Sequence, residues 1–273
     1  MNSYQRFAPF FRRANWANPL TRGLEFLFAP GLLTDAAGKI QTAPVIAGTV
    51  RRYGGSIRVS GATGQNGVTV GAGGLLGPLA NSTAVGIARH VTGANINASG
   101  NAIYSERGTA GGNDIYKLGC ISSTGLRGDF TYRNDGGNLL QVFSGTADAR
   151  LSDSQWKFYA ARKNGVTHDV YYQGLTNTGT IGSASTAFTD ASLSRGIGYD
   201  PGDTDPQWDG EIALVAGWSR TLEVSELYEI RRDPWQLFVP ISRKVYSFGT
   251  VSGFQAAWAR NANAILGSGA FHQ

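Results

Sequence analysis

Cysteine is almost absent from this sequence, and histidine is scarce. One cysteine, Cys120, and three histidines occur in 273 residues. A single cysteine excludes an intrachain disulfide, and the strand-like sequence around Cys120 predicts a buried, inert thiol. The histidines are dispersed, at His90, His168 and His272, which favours core or surface positions over a metal site. An apolar core must therefore hold the fold, and a chain of this length can bury one.

Long hydrophobic runs and the common catalytic motifs are also missing. No apolar run approaches the roughly 18 residues that a membrane helix needs, and the N-terminal sequence lacks the apolar segment of a signal peptide. No nucleophile elbow, zinc motif, P-loop or dinucleotide fingerprint is present. These absences predict a protein made in a cytosol, and kept there or released by lysis, without membrane insertion and without a cofactor.

Charged residues are few, at 16%, although the net charge is +5. The basic residues are not clustered in the body of the chain, so no nucleic-acid partner is predicted. A local excess lies at the N-terminus, where Arg6, Arg12, Arg13 and Arg22 precede the first acid, Glu25. This excess suits either a solvated basic arm or an arm that docks on an acidic protein.

Glycine, by contrast, is abundant, with 38 residues, and turn signals separate many short strand-like runs. The clearest pair covers residues 156–163 and 168–173, joined by Asn164-Gly165, which is a strong hairpin signal. Strands recurring at about ten-residue spacing predict an all-β fold, a two-sheet antiparallel jelly-roll sandwich. Further strands are predicted at 25–28, 49–59, 67–70, 82–91, 102–105, 114–121, 129–133, 139–143, 194–199, 210–218 and 244–248.

One short helix is predicted over residues 223–232. Acids lead it and arginines end it, which suits the helix dipole. Thr221 is the expected N-cap, and Asp233-Pro234 stops the helix. Several large apolar residues alternate along the predicted strands and should fill the core between the sheets. They are Trp156, Phe158, Tyr171, Ile212, Leu214 and Trp218.

Two terminal segments, 1–22 and 251–273, flank the predicted domain, 23–250, as arms. Both carry aromatic or aliphatic residues without a strand or helix period. Exposed aromatics on a free tail favour association, so the arms are predicted to bury them against neighbouring subunits. The predicted partner-binding residues are Tyr4, Phe7, Phe10, Phe11, Arg12, Arg13, Trp16, Phe254, Trp258, Ile265, Leu266 and Phe271.

The second half of the chain carries a family resemblance. The hairpin in residues 154–173, the Gly-Ile-Gly-Tyr run at 196–199 and the stretch 208–222 resemble the central strands of laminin-G-like, concanavalin-A-like jelly rolls. The helix and its Asp-Pro-Trp-Gln-Leu-Phe exit at 233–238 complete the likeness. The resemblance implies a lectin-like jelly roll over residues 18–240.

Two details qualify this resemblance. Gln173-Gly174 stands where the family usually has Asp-Gly. Residues 18–24, Asn-Pro-Leu-Thr-Arg-Gly-Leu, resemble the first strand of bacteriophage versions of the fold. The phage likeness implies a virion protein.

Some jelly-roll relatives are glycosidases, which need two carboxylates flanking the scissile bond. No Glu-x-Asp-x-x-Glu strand is present here, and Glu25, Glu106 and Glu211 stand singly. We therefore predict a protein that is not an enzyme.

Calcium and sugar sites are two further hypotheses. Oxygen ligands crowded in a loop can hold calcium, although a solvated turn uses the same residues and is the favoured interpretation. Aromatic residues nearby suit stacking on a sugar ring, with a core or rim position as the alternative. The candidate calcium ligands are Asp200, Asp203, Asp205 and Asp209, and the candidate stacking residues are Tyr199 and Trp208.

The sequence thus favours a structural protein of a bacteriophage virion, of the head decoration or cement type. It would bind capsid or tail subunits through its arms, and a homo-oligomer such as a trimer would suit exchanging arms. The alternative is a carbohydrate-binding module for host attachment or in a tail fibre, with a surface glycan as partner. A glycan hydrolase is the least favoured function.

Overall fold

The computed structural model shows a body built almost entirely of β-strands. It describes residues 13–29, 34–38, 45–47, 50–53, 56–59, 67–90, 101–107, 114–121, 127–133, 139–144, 154–173, 175–180, 194–201 and 208–239. One α-helix, α1 (Val224–Arg232), and two short 3₁₀ helices, Pro19–Thr21 and Pro234–Leu237, accompany the strands. The strands are β1 (Leu24–Ala29), β2 (Thr34–Asp35), β3 (Val45–Ala47), β4 (Val50–Tyr53), β5 (Ser56–Val59), β6 (Gly67–Ala72), β7 (Asn81–His90), β8 (Asn101–Arg107), β9 (Asp114–Ile121), β10 (Arg127–Arg133), β11 (Leu139–Phe143), β12 (Lys157–Asn164), β13 (Thr167–Tyr172), β14 (Leu175–Thr180), β15 (Ser194–Ile197) and β16 (Gly210–Trp218).

The strands form two antiparallel sheets. The first runs in the order β14-β13-β12-β7-β16-β1-β2, and the β4–β5 hairpin joins it where β5 pairs with β16. The second runs in the order β11-β10-β9-β8-β15-β6-β3. The predicted all-β, two-sheet jelly-roll architecture is confirmed.

The predicted central hairpin is present, with its turn one residue later than expected. β12 and β13 pair from Tyr159↔Tyr172 to Asn164↔Thr167, so Gly165 and the following residue make the connection. Gly165 has φ 57°, a left-handed conformation that glycine adopts without steric cost. The Asn-Gly signal therefore predicted the position of the turn to within one residue.

The nine-stranded sheet is buried on both faces. The inner core lies between the two sheets and includes Phe26, Tyr104 and Trp208. The outer core lies on the opposite face, where Leu227 of α1 and Leu20 of the first 3₁₀ helix belong to it. The chain thus has a third layer, of helical and N-terminal segments, that the strand pattern did not predict.

This third layer corrects the predicted core assignment. Phe158, Tyr171, Leu214 and Trp218 belong to the outer core, and Trp156 packs against it. Of the six predicted residues, only Ile212 faces the inner core. Within β16, a β-bulge separates Ile212 from Leu214 and Trp218, because Ile212 pairs with Ala88 but Leu214 pairs with the adjacent Ile87. An extra residue reverses which side of the sheet the following side chains face.

The last ten residues of the predicted N-terminal arm are part of the body. Ala14 forms an antiparallel bridge with Phe238 and donates its N–H to the Ala36 carbonyl at 2.8 Å. The Val239 N–H donates to the Arg13 carbonyl at 3.0 Å. Residues 13–22, predicted as the last part of the N-terminal arm, therefore lie within the described body. The predicted boundary at residue 250 lies outside the described residues.

Helix α1 follows the prediction closely, but its N-terminus does not. Thr221, the expected cap, donates its hydroxyl to the Lys163 carbonyl at 2.6 Å. The Glu223 N–H instead donates to the carboxylate of Glu226 at 2.8 Å. Leu227 anchors the helix in the outer core. No helix among the described residues is long and apolar enough to cross a membrane.

Candidate functional site

An open cleft of about 590 Å³ lies where the two ends of the body meet. Its walls include Trp16 and Val239, its polar lining comes from Arg13, Asn15 and Asp35, and four alanines and a glycine complete it. We call it the Trp16 cleft. Its volume is in the range of ligand sites, which is roughly 300–1,000 Å³.

Backbone pairing and side-chain hydrogen bonds hold the cleft walls in place. Asp35 accepts from the Leu27 N–H at 2.8 Å and from the Ala37 N–H at 3.0 Å, which fixes the turn after β2. The Asn15 side-chain amide donates to the Gln236 carbonyl at 3.3 Å. The walls are thus pre-formed, which lowers the ordering cost of binding.

Trp16 is the most exposed large apolar side chain among the described residues, with 55% of its surface accessible. The Asn18 N–H donates to the Asn15 carbonyl at 2.9 Å, so a hydrogen-bonded turn fixes the backbone at Trp16. The other described tryptophans are buried or half-buried. An exposed indole carries a large apolar face and a polar N–H, a combination enriched at binding surfaces.

The predicted sugar-stacking residues lie elsewhere, in the interior of the fold, which is the core position given as the alternative in the sequence analysis. Trp208 is fully buried and Tyr199 is 3% exposed. The Trp208 ring stacks on His90 with centroids 4.0 Å apart, and its N–H donates to the Arg89 carbonyl at 3.2 Å. Both rings are core residues, so neither can offer a face to a sugar in solvent.

The predicted calcium ligands are only partly described. Asp200 is buried and accepts from the Arg107 guanidinium at 3.1 Å, so a cationic side chain already neutralises its carboxylate. Asp203 and Asp205 lie outside the described residues. Within the described ranges, no three His, Cys, Asp or Glu side chains are grouped as a metal site requires. Calcium at this loop stays a prediction.

Two of the predicted partner-binding residues, Arg13 and Trp16, are described, and both are exposed at the cleft. The prediction that they dock on a partner is untested and stays open. The remaining ones lie outside the described residues: Tyr4, Phe7, Phe10, Phe11, Arg12, Phe254, Trp258, Ile265, Leu266 and Phe271.

Three reactive side chains of the described body, Glu106, Glu211 and Cys120, are engaged in the fold. Glu106 is buried, and Glu211 accepts from the Arg89 guanidinium at 3.0 Å. Cys120 is buried as predicted, and burial raises the pKa of its thiol. Its sulfur lies 3.1 Å from Nε2 of His90. These side chains are placed to stabilise the interior rather than to meet a substrate.

Of the ten residues that line the cleft, only Arg13 and Trp16 were predicted from the sequence; Asn15, Asp35 and Val239 are among those that were not. They come from distant parts of the chain and meet because residues 13–15 pair with both the β2 turn and residues 237–239. No periodicity signals such a pairing of chain ends.

A family model of the laminin G type, described as the concanavalin A-like lectin/glucanases superfamily, matches residues 63–227. This range includes the β12–β13 hairpin, β16 and the start of α1. No curated protein gives a significant match to the chain.

Solved structures with similar folds include domain 4 of AbnA, an extracellular arabinanase of family GH43 from Geobacillus stearothermophilus, in complex with arabinotriose. It is 14% identical, with a TM-score of 0.56 over 76% of this chain and 98% of that domain. The botulinum neurotoxin serotype G binding domain is 15% identical, with a TM-score of 0.56 over 76% of this chain and 50% of its own. The binding domain of Paraclostridial Mosquitocidal Protein 1 is 11% identical, with a TM-score of 0.55 over 78% of this chain and 52% of its own. The chain thus spans about half the length of the two toxin domains, and at these identities the likeness is one of fold.

Proposed function

The chain belongs to the concanavalin A-like lectin/glucanase superfamily, and we propose that it is a non-enzymatic binding domain of a bacteriophage virion. In this proposal it decorates or cements the particle, as a homo-oligomer, by docking on capsid or tail subunits. The terminal segments outside the described body provide the attachment. The phage-like residues 18–24 motivate the choice of particle.

The pairing of the two ends of the body carries this proposal. Because the Val239 N–H bonds the Arg13 carbonyl, residues 1–12 and 240–273 join the body at the same place. Both segments contain the aromatic residues predicted to bind partners. Two segments that start side by side can engage one neighbouring subunit together, and linked contacts strengthen each other through effective concentration.

A truncation series tests the attachment. We expect deletion of residues 1–12 to lower loading onto particles by about tenfold or more, the change that 1.4 kcal/mol of binding free energy produces. The melting temperature should remain near that of the full chain, because the deletion stops before Ala14 and Leu20, which are buried. Co-sedimentation of purified protein with particles lacking it measures the loading.

Deletion of residues 1–22 is the matched control, since it removes both buried anchors and should destabilise the body itself. The proposal would be contradicted by full loading of a stably folded protein that lacks residues 1–12 or 241–273.

Carbohydrate binding is the second candidate function. The observation that favours it is the arabinotriose complex of the arabinanase domain, which shares the fold over nearly its whole length. A virion surface domain can carry both functions, one through its terminal segments and the other through its folded body.

Glycan-array binding tests the second candidate. We expect saturable binding to at least one oligosaccharide class, measured in calcium and again in chelator. Loss of binding in chelator would show that glycan binding requires calcium, whereas unchanged binding would argue against a calcium role for the Asp200–Asp209 loop. A blank array at high protein concentration would contradict the candidate.

A further inference from the structure

We propose that the Trp16 cleft is a saccharide-binding site, in which one sugar ring stacks on the Trp16 indole. This inference rests on carbohydrate binding, the second candidate function, and locates the binding site in the Trp16 cleft. It replaces the stacking residues predicted from sequence, Tyr199 and Trp208, which are buried.

The Trp16 indole is exposed, and the backbone that carries it is held in place. Trp16 presents 55% of its surface, yet it follows Asn15, whose N–H donates to the Leu237 carbonyl at 2.7 Å. The backbone at Trp16 is therefore held by the hydrogen bond of Asn15 to Leu237 and by the turn from Asn15 to Asn18. A rigid aromatic side chain loses little conformational entropy on binding, which suits weakly apolar ligands such as the C–H face of a sugar.

Polar side chains also line the Trp16 cleft. Arg13 supplies donors at the cleft, and Asp35 supplies a carboxylate. Because the Asn15 amide N–H₂ is directed to the Gln236 carbonyl, its Oδ1 is the acceptor that this side chain offers. A few polar groups around an apolar wall are what orients a small ligand in its site.

The Trp16 cleft is open and is lined mostly by small residues. Alanines, Gly38 and Val239 contribute the rest of its lining, so a ligand ring can approach the backbone closely beside the small residues. A protein hot spot would instead be expected to form a desolvated apolar pocket around an anchor residue. An open cleft with one aromatic wall and charged groups fits a hydrated saccharide better than a protein side chain.

Substitution of Trp16 tests the site, with arabinotriose as the first probe and the strongest array glycan as the second. We expect Trp16→Ala to weaken binding about tenfold or more and Trp16→Phe to weaken it by roughly threefold, since a smaller ring keeps part of the stacking. Isothermal titration calorimetry measures the affinity. Tyr228→Ala is the matched control, because Tyr228 is 48% exposed on α1 and does not line the cleft; its affinity should stay within about twofold.

Each outcome has one meaning. Glycan binding that Trp16→Ala leaves unchanged overturns the site but keeps carbohydrate binding as a function. Loss of particle loading in Trp16→Ala, with glycan binding intact, overturns the site in favour of a protein partner. If no probe or array glycan binds the unmodified protein, carbohydrate binding and the site fall together. A melting curve of Trp16→Ala like that of the unmodified protein separates lost contact from lost fold.

Discussion

Replacing Glu106 by alanine should lower the free energy of unfolding by roughly 3–5 kcal/mol, because it leaves several buried donors without an acceptor. Glu106 lies on β8 and is fully buried. Its carboxylate accepts from the backbone N–H groups of Leu75, Leu76 and Gly77 at 3.0, 2.7 and 3.0 Å. It also accepts from the Tyr104 hydroxyl at 2.7 Å.

The same loop is held from the opposite sheet. Lys163 of β12 donates its ammonium to the Gly77 carbonyl at 2.9 Å and to the Tyr132 hydroxyl at 2.6 Å. Burial lowers the pKa of Lys163 to about 8, and the charge of Glu106 opposes that shift. One residue, Gly77, is thus bound through its N–H by Glu106 of one sheet and through its carbonyl by Lys163 of the other. Removing Glu106 therefore weakens both the loop and the contact between the sheets.

Urea unfolding at pH 7 measures the effect. Glu106→Gln should fall between the unmodified protein and Glu106→Ala, since its amide keeps one acceptor oxygen but places an N–H₂ against backbone donors. Glu229→Ala is the control: its ion pair with Arg232 is largely exposed, and such pairs contribute less than about 1 kcal/mol. A loss below about 1 kcal/mol for Glu106→Ala would show that the loop finds other partners.

The sequence predicts strands, turns and the helix well because those depend on local signals. The Asn164-Gly165 turn and the acid-to-arginine order of α1 are examples. It does not predict Glu106 as a structural anchor, because a single acid in a strand looks like any solvent-facing residue. The acceptor role appears only when the loop at Leu75–Gly77 folds over it.

The local sequence pattern also does not predict which face of the sheet a residue occupies. A strict alternation along β16 would place Ile212 and Leu214 together, whereas the bulge separates them into different cores. Two cores also make alternation ambiguous, because apolar residues are needed on both sides of the nine-stranded sheet. The two tryptophans show the consequence for the candidate site. Trp208, which was predicted to stack on a sugar, is buried. Trp16, which was predicted to lie in an arm, lines the cleft.

Acid should unfold the protein well above the pH at which carboxylates alone titrate, because two histidines are buried in their neutral form. Burial lowers the pKa of both His90 and His168 to about 4 from 6.5. For His168 the nearby charge of Lys163 adds to the effect. The unfolded chain takes up these protons first, so stability is complete above pH 6.5 and falls as the pH drops toward 4. Each histidine should account for about 3 kcal/mol of that loss.

His168→Phe isolates one of the two contributions. The His168 ring stacks on Tyr132 at 4.7 Å and meets Phe130 edge-on at 5.7 Å, and neither nitrogen has a hydrogen-bond partner among the described residues. Phenylalanine keeps the ring contacts and removes the titration. Between pH 7 and pH 4, the variant should therefore lose about 3 kcal/mol less free energy of unfolding than the unmodified protein, measured by urea titration at both pH values.

His168→Gln is a second, non-titrating variant that keeps a polar group, and it separates the loss of charge from any change in packing. Carboxylate titration is common to all three proteins and cancels in the comparison. If both variants lost as much stability on acidification as the unmodified protein, His168 would not be held neutral in the fold, and the acid sensitivity would belong to His90 and the carboxylates.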